Sequence, residues 1–183
     1  MPHMDILRQM IKANATVPLT ANHGKHAVTL VEPQDSRVSV TISGLPPDTL
    51  VIKVDAFRSP DTVFQGENGE CKRPDYAIIA DHEGKKRVLL IEMKRTKDSF
   101  REITAQLTGG ACFIRYCQDI GRMFWKERDF LNGFQYRYIS IGHLSIGKRP
   151  TKFEKNPGRH DSPDKPLKIS WPRTLYFNQL AGS

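Results

Sequence analysis

The sequence predicts an α/β protein, and three observations carry that prediction. Short stretches in the first half alternate apolar and polar residues. Two nearly continuous apolar runs then follow across a short polar turn, and a long segment after them repeats apolar residues at helical spacing. The 183 residues suffice for one domain with a core, taken as residues 4–183. Met1, Pro2 and His3 lack the basic and apolar regions of a signal peptide, and are set aside as a cloning remnant ahead of a start at Met4.

The elements follow in order. Residues 5–13 read as a short helix, with Ile6, Leu7, Met10 and Ile11 on one face. Ala27–Val31 and Arg37–Ile42 read as strands, the second alternating through Val38, Val40 and Ile42. Ser43–Asp48, with Gly44, Pro46 and Pro47, reads as a turn, and Leu50–Phe57 as a third strand. Ser59–Pro74 is a polar loop. Tyr76–Ala80 and Val88–Met93 are apolar on both faces, so this hairpin is expected to be central and covered on both sides. Lys97–Gln118 is the clearest helix, with Asp98 or Ser99 placed to cap it. Its Gly109-Gly110 pair costs about 1 kcal/mol per glycine, and marks either close packing on the sheet or a break. Phe124–Phe130 reads as a short helix, Tyr136–Ile141 as a strand, and Ile169–Trp171 and Leu175–Phe177 as short closing strands. Residues 147–168 hold four prolines, seven Lys or Arg and three acids, the composition of a loop or extended arm.

Chemistry concentrates where the two apolar runs end. In an antiparallel hairpin, paired residue numbers sum to a constant. A turn centred between Glu83 and Gly84 sets Asp75 opposite Glu92, on one face and about 4.5–5.5 Å apart at Cβ. Alternation puts Lys94 on that face and turns Met93 away. Two carboxylates so close repel, and one stays protonated unless a cation neutralises the pair. A hard divalent metal does so. Mg²⁺ takes one or two carboxylates plus water and substrate phosphate, and the Met93 carbonyl lies near enough to add a ligand. A metal there eases deprotonation of water, and Lys94 would hold the attacking water and counter developing charge. The alternative is a salt-bridged cluster at a strand end.

Pro74-Asp75, sixteen intervening residues, then Glu92-Met93-Lys94 resembles the motif of the PD-(D/E)XK nucleases, the restriction-endonuclease-like superfamily. The order of three strands and a long helix over residues 50–118 is similar to that family's common core. The resemblance implies a restriction-endonuclease-like mixed central β-sheet flanked by helices, with Asp75 and Glu92 as Mg²⁺ ligands (Mn²⁺ able to substitute) and Lys94 as a catalytic residue. Several branches of the family carry a glutamine on the helix after the motif, a part Gln106 would play; otherwise Gln106 is a solvated flank. Many members also place an acid on an earlier helix. Only Asp5 lies there, a poor match, so Glu70 is put first as a further metal ligand, with Glu32 and Asp55 as substitutes.

The formal net charge of +8 suggests a polyanionic partner. Lys72, Arg73, Arg95 and Lys97 flank the motif and would engage phosphates, with Arg101 and Arg115 adding to the rim. The arm carries a formal charge of +4, enough to wrap a nucleic-acid backbone. The expected function is metal-dependent hydrolysis of phosphodiester bonds, DNA favoured, by a homodimer or part of a larger assembly. The alternatives are an RNA endonuclease, or a non-catalytic binding module on the same fold. His23 and His26 lack a spaced third metal ligand. Trp125 and Trp171 read as core or interface. The odd count of cysteines (Cys71, Cys112, Cys117), with no paired CxxC, argues against a disulfide framework or structural zinc and suggests the cytoplasm. No apolar run approaches the roughly 18 residues of a membrane helix, so no membrane is expected.

Overall fold

A computed structural model describes residues 2–22, 25–33, 35–94, 99–142, 160–171 and 174–182. In chain order, helix α1 (His3–Met10) precedes strands β1 (Thr20–Asn22), β2 (Lys25–Glu32), β3 (Asp35–Leu45) and β4 (Thr49–Lys53). Strands β5 (Tyr76–His82) and β6 (Lys85–Lys94) follow, then helix α2 (Phe100–Phe124) and strand β7 (Gln135–Gly142). Strands β8 (Leu167–Ser170) and β9 (Thr174–Tyr176) and a short helix α3 (Phe177–Ala181) end the series. The strands form two mixed sheets. One has the order β4-β5-β6-β7-β8, the other β1-β2-β3-β9.

The hairpin β5–β6 is the centre of the larger sheet. Its pairs run from Tyr76↔Ile91 to His82↔Lys85, the register expected from a turn between Glu83 and Gly84. Both turn residues have positive φ, 50° and 75°, the type I′ geometry that matches the twist of a two-residue hairpin and favours glycine at its second position. Beyond it, α2 crosses over so that β7 pairs parallel to β6, the connection that parallel strands require.

Both faces of the hairpin are covered, as its sequence predicts. On one face Ala77, Ile79, Val88 and Leu90 pack against Met4, Ile6 and Leu7 of α1 and Leu107, Ala111 and Ile114 of α2. On the other, Ile78, Leu89 and Ile91 meet Val28, Leu30, Val40 and Ile42 of the second sheet. The result is three layers: helices, five-stranded sheet, four-stranded sheet. All of Val88–Met93 is buried. Five of these side chains are apolar, each contributing about 1.5–3 kcal/mol. That is enough to hold the sixth, Glu92, where a carboxylate would not go by itself.

Helix α2 begins at Ser99, whose Oγ accepts the Glu102 N–H, and continues unbroken through Gly109-Gly110. The glycines are there for contact. A Cβ on Gly109 would lie 1.8 Å from the Lys72 carbonyl oxygen, and one on Gly110 would lie 2.7 Å from Pro74 Cγ. The helix therefore rests on the segment that delivers Asp75.

Several boundaries differ from expectation. The third strand stops at Lys53, and Val54–Ala56 form a 3₁₀ turn, because the partner β5 begins only at Tyr76, opposite Lys53. β3 runs through Ser43 to Leu45, so the turn is shorter. Phe124–Phe130 is not a separate helix. α2 takes Phe124, Lys126 turns left-handed with φ 60°, and Phe130 anchors an irregular segment against Gly121. Phe177 opens α3 rather than closing a strand. His3 belongs to α1, its ring edge-on to Phe134 at 5.5 Å. Residues 147–159 of the expected arm lie outside the described residues. Residues 160–166 form a loop, as expected, but one fixed at its start by buried His160, whose Nε2–H donates to the Leu180 carbonyl, and 167–168 enter β8.

Candidate active site

Three strand termini and one helix converge on Asp75. Its carbonyl accepts the Val54 N–H at 2.9 Å, which fixes its backbone one step beyond the β4–β5 ladder. Its Oδ2 accepts the Met93 N–H at 2.7 Å. These two bonds, one from just past the end of β4 and one from β6, lie just beyond the hairpin's last pair and hold the Asp75 carboxyl beside Glu92. Glu92 faces the helical layer with Val88 and Leu90 and is 0% exposed. Lys94 Nζ approaches Glu92 Oε1 to 3.1 Å and forms an ion pair with it. Glu92 Oε2 has no hydrogen-bond partner among the described residues.

An unpaired buried acceptor costs about 1–3 kcal/mol, more when charged, and the electrostatics show the strain. Burial pushes the Asp75 carboxyl up to about 7, against the Met93 bond and Lys94, with Asp55 and Glu32 pushing the same way. Burial and then the Asp75 charge push Glu92 up to about 8, with Lys94 opposing. At neutral pH the pair retains a proton, its two ionisations belonging to both groups together.

Of the other expected site residues, Gln106 is on the buried face of α2, 8% exposed, with its Oε1 unpartnered among the described residues. It is no solvated flank. Met93 contributes its N–H to Asp75, while its side chain lies in the opposite core. Glu70 is not brought into the group. It is exposed and both its oxygens accept backbone N–H groups, from Gly66 and Asn68. A bond from its own backbone first, then those from Gly66 and Asn68, lower its pKa and commit it to its own loop. Asp5 pairs with Arg8, which also holds Asp48, a strand's length from Asp75. Among the described residues no third His, Cys, Asp or Glu joins Asp75 and Glu92 to make a metal-binding group.

Lys72 is tied to Glu102 of α2 at 3.1 Å. Arg73 donates from Nη2 to the Asp55 carbonyl, and its Nε is buried without a partner among the described residues. Arg101 is exposed near the start of α2. Arg115 lies beside Tyr136 and Tyr138, down the sheet from Glu92. Arg95, Lys97 and His23 lie outside the described residues.

Sequence reasoning missed one row of the site. Parallel pairing aligns Glu92 with Ser140 of β7 and Ser140 with Lys168 of β8. Residues in register across parallel strands share a face, so Ser140, which is buried, and Lys168 extend the line from Asp75 and Glu92. The Lys168 ammonium sits 4.7 Å from the centroid of Phe100, a cation–π contact that places a positive charge by the first turn of α2.

Against protein-family models, curated proteins and solved structures, the chain matches none. The functional reading therefore stands on the site itself.

Proposed function

We propose that the chain is a divalent-metal-dependent nuclease that hydrolyses phosphodiester bonds, DNA favoured, at Asp75, Glu92 and Lys94. One observation carries this reading. Two buried carboxylates are held together on one sheet face, and the deeper one meets the Lys94 ammonium at one oxygen while its other oxygen has no hydrogen-bond partner among the described residues. Native proteins seldom leave buried acceptors unmet, and a missing ion is one standard explanation. The donor set is all oxygen and anionic, which suits Mg²⁺ or Mn²⁺ rather than a thiophilic metal.

Asp75 and Glu92 would hold the ion. When bound, it supplies Lewis-acid stabilisation of charge at a phosphoryl oxygen and eases deprotonation of the attacking water. The chain's own residues do the rest. The Met93 N–H orients the Asp75 carboxyl. Lys94, only 18% exposed, offers a cation that steadies a water near the scissile phosphorus and offsets charge there. Ser140 fills the row beyond Glu92, and Lys168 stands ready for a flanking phosphate. The order β4, β5, β6, α2, β7 around these residues supports the resemblance to restriction-endonuclease-like proteins, and with it the expectation of a dimer.

The absence of a third acid among the described residues favours a second reading, a nucleic-acid-binding module without turnover. One experiment separates the two and identifies the substrate. Plasmid, linear duplex, single-stranded DNA and RNA are incubated with Mg²⁺, Mn²⁺ or EDTA, using wild type and Glu92→Gln. Cutting that needs metal and Glu92 is the expected result. Binding without cutting, under every metal, would favour the binding module.

A further inference from the structure

At the other end of the hairpin the two sheets part around a cavity of about 470 Å³, within the range of small-ligand sites. β5 is seven residues long, so this cavity is about 20 Å from Asp75 at a strand's rise per residue. Lys25 and His26 of β2, Lys85 and Arg87 of β6, and Tyr176 of β9 line it, with Pro46 and Pro47 on the β3–β4 turn. Among the described residues Glu83 is the single acid on its wall, and it lies 3.7 Å from His82, also on the wall.

Three features set this cavity apart from an ordinary surface dent. Lys25 and Lys85 are exposed and have no ion-pair or hydrogen-bond partner among the described residues. Arg87 donates Nε and Nη1 to the carbonyls of Ala181 and Lys86. Its guanidinium is thereby held in place while Nη2 stays unused among the described residues, a preorganised cationic donor for a phosphate oxygen. Tyr176 is 57% exposed although it adjoins this basic wall, so an aromatic face stands open beside fixed positive charge. The cavity is concave and of limited size. A single strand of nucleic acid instead needs an open groove running over several nucleotides.

We propose that this cavity binds a nucleoside monophosphate, its phosphate on Arg87, Lys85 and Lys25 and its base against Tyr176. The site is separate from Asp75 and does not depend on the nuclease reading.

Calorimetric titration of the full chain with adenosine and uridine 5′-monophosphates tests it, alongside adenosine, ribose 5-phosphate, inorganic phosphate and a single-stranded oligonucleotide. Saturable binding of the monophosphates is expected, with each fragment about tenfold weaker, since each loses either the charged contacts or the stack. Tyr176→Ala and the double change Lys25→Gln/Lys85→Gln, all at exposed positions, should each weaken it by about tenfold with the circular dichroism spectrum unchanged. Glu92→Gln should leave it unaltered. The proposal is overturned by the absence of saturable binding, or by binding that ignores the Lys25, Lys85 and Tyr176 changes. Binding lost in Glu92→Gln would assign the ligand to the Asp75 site. An oligonucleotide that binds more tightly than the monophosphates, and is weakened by the same changes, would assign the surface to a nucleic-acid strand and equally overturn the proposal.

Discussion

Asp75 and Glu92 each gain from their neighbours and repel each other, and the balance sets how the protein responds to pH. Both carboxyls are raised, to about 7 and about 8, well above an unfolded value near 4. Between those limits the native pair holds protons that the unfolded chain has lost. Stability without metal therefore falls as pH rises from about 4 to about 8 and levels off above. Thermal melts across that range should show the fall, and Glu92→Gln should reduce it; a melting temperature that rises over the same range would rule out the buried pair as the cause. Lys94→Ala should lower kcat by about 10²–10³, the size of a lost charge-stabilising donor, with Lys94→Arg recovering part of it in the same cleavage assay. The three residues are legible in the sequence because strand alternation and a tight turn fix which side chains share a face. Ser140 and Lys168 are not. Their alignment with Glu92 runs through a helical crossover and then beyond residues 147–159, and no sum of residue numbers gives the register of parallel strands joined that way.

Among the elements, α2 carries more of the site than its amphipathic pattern suggests. Gly109 and Gly110 read in sequence as a penalty, with packing and breakage equally open. The contacts with Lys72 and Pro74 decide for packing, which no single-helix pattern reveals because the partners are loop residues thirty-seven and thirty-six positions earlier. Gly109→Ala should destabilise by about 1–3 kcal/mol, the usual cost of overpacking. It should also depress activity in the molecules that remain folded, since the displaced backbone leads straight into Asp75. Thr108→Ala, one residue away and exposed, should stay within about 0.5 kcal/mol of wild type. Denaturant melts of the two variants make the comparison, and equal effects would show that helix propensity rather than contact governs the position. The hairpin was the easier element to read, since its turn residues and its two apolar runs agree with each other. The segment after α2 misled because it carries Phe124, Trp125 and Phe130 in a short stretch, yet these serve a helix end and an anchor.

Across the molecule as a whole, composition gave the class and the charge but not the second sheet. β3 pairs with β9 across more than one hundred and thirty residues, a non-local parallel contact with no local signature. The basic stretch 147–168 read as a loop or extended arm, whereas its end is tied to the core by His160 and β8. That placement gives Lys168 a fixed position by the site. Lys168→Gln should weaken nucleic-acid binding similarly for every sequence and reduce the slope of log K against log salt by about 0.7–0.9. Fluorescence anisotropy over a salt series reads this, and an unchanged slope would remove Lys168 from the phosphate contacts. Among the described residues no helix is long and apolar enough to cross a membrane.

Metal occupancy decides whether Asp75 and Glu92 form the centre proposed for them. Mn²⁺ is titrated into the protein at pH 7.5 (about the midpoint of the pair's two values) while the electron paramagnetic resonance signal of free Mn²⁺ is followed, in wild type and in Glu92→Gln. Wild type should remove the free signal stoichiometrically, more strongly as pH rises because binding displaces the shared proton, and the folded variant should remove little. Equal Mn²⁺ uptake by both proteins, or none by wild type, would eliminate a metal site at Asp75 and Glu92.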